Sequence, residues 1–368
     1  MSAALPDSSA PMLRVEGLAK RFAVPSGLFG RRSASVRAVD GVSFEVEAGS
    51  TFAIVGESGC GKSTVARLLL RLIEPDAGRI ELDGQDLRML DAKALRQLRA
   101  RIQMVFQDPY GSLNPRIRVG DMLAEPLRLH TSLDADARAA RVAELLSLVG
   151  LRPDAGMRFP HEFSGGQRQR LAIARALAAS PRIIVCDEPV SALDVSIQAQ
   201  ILNLLADLQR RFGIAFVFIS HDLAVVRQVA DRLAVMYLGA FVETGPAASI
   251  FAAPRHPYTR ALLSAVPVPD PDHLASEPAL GGDVPSPLAP PAGCAFHTRC
   301  PHARERCAAE RPPLEAAEDG VQVACWFWRE LPPAAGVNVE GARNKTLQRL
   351  QAAFIGHSSS PTESSESP

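Results

Sequence analysis

The chain has little lysine, few aromatic residues, no net charge and no long apolar run. Of its 40 Lys and Arg residues only four are lysine (Lys20, Lys62, Lys93 and Lys345), and 40 Asp and Glu balance them. A formal charge of zero argues against a general nucleic-acid binder, which needs a basic face to displace counterions. No apolar stretch reaches the ~18 residues of a bilayer-spanning helix. The longest, Leu233–Val242, is about half that length. The opening MSAALPDSSAPM has neither a basic start nor a long apolar core, so residues 1–11 read as a loose leader and not a signal peptide. Aromatics make up 5% of the chain, yet three of them adjoin at Trp326, Phe327 and Trp328. What is present is 47% apolar content over 368 residues, enough for a sizeable core and too much for a mostly disordered chain. Six cysteines occur, four of them between Cys294 and Cys325. Without a secretion signal, clustered cysteine points to metal before it points to a disulfide scaffold.

Short strands open the pattern at Leu13–Val15, Val36–Val46 and Thr51–Val55, with a Gly/Ser/Arg loop over Pro25–Ser35. From Ser63 helices and strands alternate, as in a doubly wound α/β fold. Three apolar runs, Ile102–Phe106, Ile183–Cys186 and Ile214–Ile219, have the length of fully buried parallel strands. Ala137–Val149 repeats its apolar residues at helical spacing and stops at Gly150. Alternation ends near Val266. Residues 267–291 hold eight prolines and read as a linker, 292–330 as a cysteine-bearing module, and 331–368 as a disordered tail.

GESGCGKST at Gly56–Thr64 fits the pattern G-x-x-x-x-G-K-S/T, with a strand before it and a helix after it. Glycines let successive amides curl around phosphates, and the helix N-terminus adds positive potential. The residues expected at a nucleotide are therefore Gly56, Glu57, Ser58, Gly59, Cys60, Gly61, Lys62, Ser63 and Thr64. Lys62 is expected at the β- and γ-phosphates and Ser63 at Mg²⁺. The same amides are expected to favour a reactive Cys60 thiolate. PRIIVCDEP places Asp187 and Glu188 at the end of an apolar strand. Asp187 suits Mg²⁺, and Glu188 a general base on water. Taken alone, an acidic pair after a strand is more often a solvated turn.

FSGGQRQRLAIARALA, Phe163–Ala178, puts an N-capping serine and two glycines before a helix. One phosphate loop has no use for a second cradle in the same chain; a head-to-tail dimer has. At this point the sequence resembles the ATP-binding cassette (ABC) ATPases. The resemblance implies a P-loop α/β core with an antiparallel β subdomain and an inserted helical subdomain (about 108–165), within a domain spanning 12–266. It further implies that Gln107 is the Q-loop glutamine near Mg²⁺ and the catalytic centre, and that Asp194 lies in the D-loop. His221 would be the switch histidine, and Phe22 would stack on adenine. Ser164, Gly165, Gly166 and Gln167 would act on the nucleotide of a second subunit. Phe163 stands where many members carry leucine.

QDPYGSLNPR, DEPVSALDVSIQAQILNLL, PRHPYTRALLSAVP and GCAFHTRCPHARERC resemble the oligopeptide/dipeptide importers within that family. The resemblance implies ATP and Mg²⁺ as ligands and a second ABC ATPase, a paralogue or a copy, as partner. It also implies two permease subunits, an extracytoplasmic solute-binding protein acting indirectly, and a place on the cytoplasmic face of the membrane. No nucleic-acid partner is expected. The rival reading is a soluble cassette ATPase working on nucleic acid or in translation, but the chain has no sustained heptads. Cys294, Cys300, Cys307 and Cys325 are separated by five, six and seventeen residues, unlike the short C-x₂₋₄-C pairs of structural zinc. Four thiolates on irregular backbone suit a 4Fe–4S cluster, shielded by the Trp-Phe-Trp run. Zinc with His297 or His302, disulfides and plain buried thiols stay open. The module has too few aliphatic residues to fold on its own core, so a metal is expected to staple it.

Overall fold

The computed structural model describes residues 11–24, 34–265 and 281–333. The proposed leader (to residue 10), most of the Gly/Ser/Arg loop, residues 266–280 of the linker region and the tail from 334 lie outside the described residues.

Runs that are apolar at every position can only sit where both faces are covered. TFAIV, IIVCD and AFVFIS are such runs but for one terminal polar residue each (Thr51, Asp187 and Ser220), and they form β3 (Thr51–Val55), β7 (Ile183–Asp187) and β8 (Ala215–Ser220), buried at every residue. With β6 (Ile102–Val105) and β9 (Arg232–Tyr237) they make a parallel sheet in the order β9-β3-β8-β7-β6. β10 (Ala240–Pro246) adds to β9 in the antiparallel sense. A separate antiparallel sheet joins β1 (Leu13–Val24), β2 (Ala34–Val46), β4 (Ala77–Leu82) and β5 (Gln85–Asp86) in the order β2-β1-β4-β5. β1 runs well past Val15. Its outer half carries exposed Arg21, Phe22 and Ala23, so no apolar alternation marks it in the sequence.

Side chains alternate across the parallel sheet with period two. Phe52, Ile54, Val185, Val217 and Met236 face α1 (Lys62–Leu69) and the antiparallel sheet. Ala53, Val55, Ile184, Phe218 and Val235 face the other way, toward the rest of the helices. Those helices are α2 (Ala92–Arg99), α3 (Pro109–Ser112), α4 (Val119–His130), α5 (Ala135–Leu148), α6 (Gly165–Leu177), α7 (Val195–Phe212), α8 (Leu223–Val229), α9 (Ala247–Ala252) and α10 (Pro257–Ser264). α2, whose Leu98 joins the α1 side of the core, is the exception among them. α7 buries Ile201, Leu202, Leu205 and Leu208 at helical spacing and stops at Gly213, whose φ of 64° closes the last turn.

The cysteine-bearing segment contains α11 (Glu305–Ala309), β11 (Glu315–Ala316) and β12 (Gln322–Val323). It does not stand apart. β12 pairs with β10 through Glu243–Val323 and Thr244–Gln322, and so extends the main sheet. Phe296 and Val321, each 1% exposed, belong to the same apolar core as the parallel strands. Burying one phenylalanine contributes roughly 2–3 kcal/mol. The expectation that only metal ligation could hold this segment is therefore corrected, because it borrows the core of the larger body.

Candidate functional site

The loop Gly56–Thr64 leaves β3 and turns into α1. Gly61, at φ 112°, forms the left-handed turn before the helix; a Cβ there would overlap the Ala38 carbonyl oxygen. Gly56 meets Met236 in the same way. Lys62 is 5% exposed, and its ammonium donates to the carbonyl oxygens of Gly56 (2.7 Å) and Glu57 (3.0 Å). It is thus held inside the loop as a charge waiting for an anion. Ser63 Oγ donates to Asp187 Oδ1 at 2.9 Å, tying the first turn of α1 to the end of β7. Burial pushes the Asp187 carboxyl above its usual range, while the Ser63 hydrogen bond opposes that shift. A buried carboxylate beside a hydroxyl is a ready pair of oxygen ligands for a hard cation.

Glu188 follows at φ 48°, a left-handed conformation that costs a non-glycine residue roughly 1–2 kcal/mol. That turn aims its carboxylate at two residues far away in sequence. Gln107 Nε2 donates to Glu188 Oε2 at 2.9 Å, and His221 Nδ1 lies 3.1 Å from Glu188 Oε1. Gln107 follows β6 and His221 follows β8, so neighbouring parallel strands deliver all three side chains to one edge. A cavity of about 280 Å³ lies there, lined by the loop from Ser58 to Thr64 with Gln107, Glu188, Gly239 and Pro287. An anionic phosphate chain entering it meets a buried ammonium, a helix N-terminus, the Ser63 hydroxyl backed by Asp187, and a carboxylate able to orient water.

Other expected residues stand elsewhere. Phe22 is 40% exposed on β1, opposite Val36, with the Lys20 ammonium 5.6 Å over its ring. Val36 lines the cavity and Phe22 does not. Ser164, Gly165, Gly166 and Gln167 begin α6 but do not line it either. Ser164 Oγ accepts from the Gln167 amide (3.4 Å) and Gln167 Oε1 from the Ser164 amide (3.1 Å), a reciprocal cap. Asp194 is exposed at the start of α7 and makes no side-chain cap. The expected Cys60 thiolate is corrected. The thiol is 5% exposed, and burial pushes it up and outweighs the Lys62 charge that would lower it.

Cys294, Cys300, Cys307 and Cys325 line a second, small cavity with Phe296, His297, His302, Trp326 and Phe327; Trp328 turns away beneath Arg255. All four are free thiols. Burial pushes Cys300 up to about 12 and Cys325 up to about 11. His302 Nε2 is buried without a hydrogen-bond partner among the described residues. Among the described residues no three His, Cys, Asp or Glu side chains are set as a metal-holding group. Sequence reasoning gave no role to two residues that touch the nucleotide loop, Tyr258 and Arg299. Their only signal was membership of the segments PRHPYTRALLSAVP and GCAFHTRCPHARERC.

The profile described as ABC transporter matches residues 39–191, and that described as Oligopeptide/dipeptide transporter, C-terminal region, matches 242–307. The chain is 54% identical over 314 residues to the Di/tripeptide transport ATP-binding protein DppF of Pseudomonas aeruginosa, spanning 85% of this chain and 97% of that one. It is 50% identical over 316 residues to the Dipeptide transport ATP-binding protein DppF of Haemophilus influenzae, spanning 86% and 96%. The fold is similar to the ATP-binding cassette MJ0796, solved as a dimer in a post-hydrolysis state with ADP and Pi. That match has a TM-score of 0.57 and 28% identity, over 64% of this chain and 99% of that one. Motif, fold, convergent side chains and likeness agree: the chain belongs to the ABC transporter family, as an ATP-hydrolysing subunit of its oligopeptide/dipeptide branch.

Proposed function

We propose that this subunit drives import of di- or oligopeptides, or related small solutes, from the cytoplasmic face of a bacterial inner membrane. The convergence of Gln107 and His221 on Glu188, which lines the cavity of the Gly56–Thr64 loop, carries the chemical part of the reading. The names of the relatives support the cargo class. Gly56–Thr64 binds the ATP phosphates, with Lys62 at the β- and γ-phosphates and Phe22 toward the adenine. Ser63, Asp187 and Gln107 hold Mg²⁺, which when bound neutralises charge developing on the phosphates. Glu188 takes the proton of the attacking water, and His221 orients the two. Ser164, Gly165, Gly166, Gln167 and Asp194 complete the site of a second ATPase subunit, a paralogue or a copy. Closure of that dimer moves two permease subunits, which receive solute from an extracytoplasmic binding protein. The cassette body is residues 12–266, the helical subdomain about 108–165, and the cysteine segment 292–330. No helix of the described residues is long and apolar enough to cross a membrane.

The cysteine segment is read as a 4Fe–4S site. Four free thiols around one cavity and the unpaired His302 Nε2 support a metal of some kind. A cluster bound there would join the loop 294–307 to the stretch after β12.

One preparation tests both parts. Membranes solubilised anaerobically and purified through this chain should yield two permease chains and about four irons per ATPase chain. Recovery of nucleic acid without permeases would overturn the importer reading. One zinc per chain and no iron would overturn the iron–sulfur reading alone.

A further inference from the structure

Glu57 is the most engaged residue of the nucleotide loop. Its backbone N–H donates to the Tyr258 hydroxyl oxygen at 3.0 Å. Its carbonyl oxygen accepts from Lys62 Nζ at 3.0 Å. Its carboxylate takes both arms of one guanidinium, from Arg299 Nη1 at 2.7 Å and Nη2 at 3.0 Å. The Arg299 side chain is 5% exposed and that of Glu57 25%, so water screens the pair weakly. Its carbonyl also accepts from the Cys60 amide at 3.3 Å, so every polar group of Glu57 has a partner, and two of the four partner residues, Tyr258 and Arg299, come from outside the loop.

Those two partners are rigidly seated. Tyr258, at the start of α10, is fully buried, with its ring 4.7 Å from that of Tyr237 and 5.3 Å from that of Phe296. Phe296 lies three residues before Arg299, on the short loop bounded by Cys294 and Cys300. The loop that anchors itself in the core through Phe296 thus presents Arg299 to the phosphate-binding turn. A planar fork locked to one carboxylate fixes orientation as well as distance.

We propose that Arg299 and Tyr258 are positioning residues for the nucleotide site. They hold Glu57, and through its carbonyl the Lys62 ammonium, in binding geometry before the nucleotide arrives. The inference rests on Gly56–Thr64 being the ATP loop, and it gives the C-terminal segment a part in ATP affinity. Preorganisation of this kind raises affinity by removing the ordering cost from the binding step. It leaves the step after binding, at Glu188, largely untouched.

The test uses the full chain, with trinitrophenyl-ATP as the binding probe and steady-state ATP hydrolysis beside it. For Arg299→Ala the probe Kd and the KM for ATP should both rise about ten-fold, the size of one charge-assisted hydrogen bond. Turnover at saturating ATP should stay within about three-fold, since the loop and not the reacting atoms has been loosened. Arg299→Lys keeps charge but loses the fork, and should fall between wild type and Arg299→Ala. If the pair acts as a unit, adding Glu57→Gln to Arg299→Ala should cost no more than the larger single change. Tyr258→Phe should raise KM in the same sense. Unchanged Kd and KM in Arg299→Lys and Arg299→Ala, or strictly additive effects in the double variant, would overturn the proposal. So would a loss confined to kcat, which a merely structural role produces by lowering the active fraction. A wild-type chain that failed to bind the probe would instead overturn the ATP reading beneath it.

Discussion

Glu188 shows how one residue can be chosen against its own backbone preference. At φ 48° a glycine would be more comfortable, yet the position carries a carboxylate with a partner on each oxygen. Its side chain is 10% exposed, whereas that of His221 is 51% exposed. Glu188→Gln keeps the shape and an acceptor for Gln107 but cannot take a proton. ATP affinity should persist, turnover should fall by about 10²–10⁴, and an ATP-bound dimer should accumulate. Near-normal turnover in a single-turnover assay would remove Glu188 from the role of base. The neighbouring Asp187 differs in kind: it is buried and tied to Ser63 by a 2.9 Å hydrogen bond, the arrangement on which the proposed Mg²⁺-ligand role rests.

Among the elements, α10 depends on one neutral imidazole. His256 is 1% exposed, and its Nδ1 accepts from the Tyr258 amide at 3.0 Å, capping the helix ahead of Pro257. Burial holds its pKa down to about 3, from an ordinary 6.5. The unfolded chain therefore binds a proton at a pH where the folded chain does not. Stability from this residue is complete above about 6.5 and is lost as pH falls from there toward 3, at about 1.4 kcal/mol per unit. Glu243, which accepts from the amides of Arg255 and His256, is raised by burial and titrates with the opposite sign. His256→Asn retains an acceptor and Glu243 but no titrating imidazole. Between pH 6.5 and 5 the wild type should lose about 2 kcal/mol more than this variant in denaturant unfolding. Equal slopes would refute the assignment.

The same elements mark what could be read ahead of the structure. β3, β7 and β8 were legible because burial on both faces leaves polar residues only at their ends; Lys62 stood out by its place in the glycine loop, and Asp187 and Glu188 only in the company of that loop. Gln107 and His221 came only from resemblance, since a glutamine or histidine after a strand has no local signature. The outer half of β1 and the two residues of β12 were not legible, because pairing partners elsewhere create them. Cys60 was misread because the desolvation that decides its pKa is a tertiary property.

At the scale of the molecule, the two helix termini that follow glycine-bearing turns, those of α1 and α6, are the informative pair. The N-terminus of α1 lines the nucleotide cavity, while that of α6 lies outside it in the same chain. A Cβ at Gly166 would press on Ile197, so the fold of this chain explains that glycine. Gly165 is different: a Cβ there would meet nothing nearer than Leu193 Cδ2 at 3.6 Å, an ordinary contact. Nothing among the described residues demands a glycine at 165, and an aspartate in the first turn would even suit the helix dipole. Under the proposed dimer, a partner's γ-phosphate approaching the backbone would supply the reason. Gly165→Asp should therefore fold normally and keep nucleotide at its own Gly56–Thr64 loop. It should expel nucleotide from the facing subunit, where carboxylate and phosphate repel. Photo-crosslinking with azido-ATP, scored subunit by subunit, reads this directly where the partner is a paralogue. With two copies, mixing Gly165→Asp with Lys62→Ala leaves one intact composite site, and hydrolysis should reappear in a mixture of two inactive proteins. Loss of label from the mutated chain's own loop, with the partner's label intact, would show that the signature acts in cis.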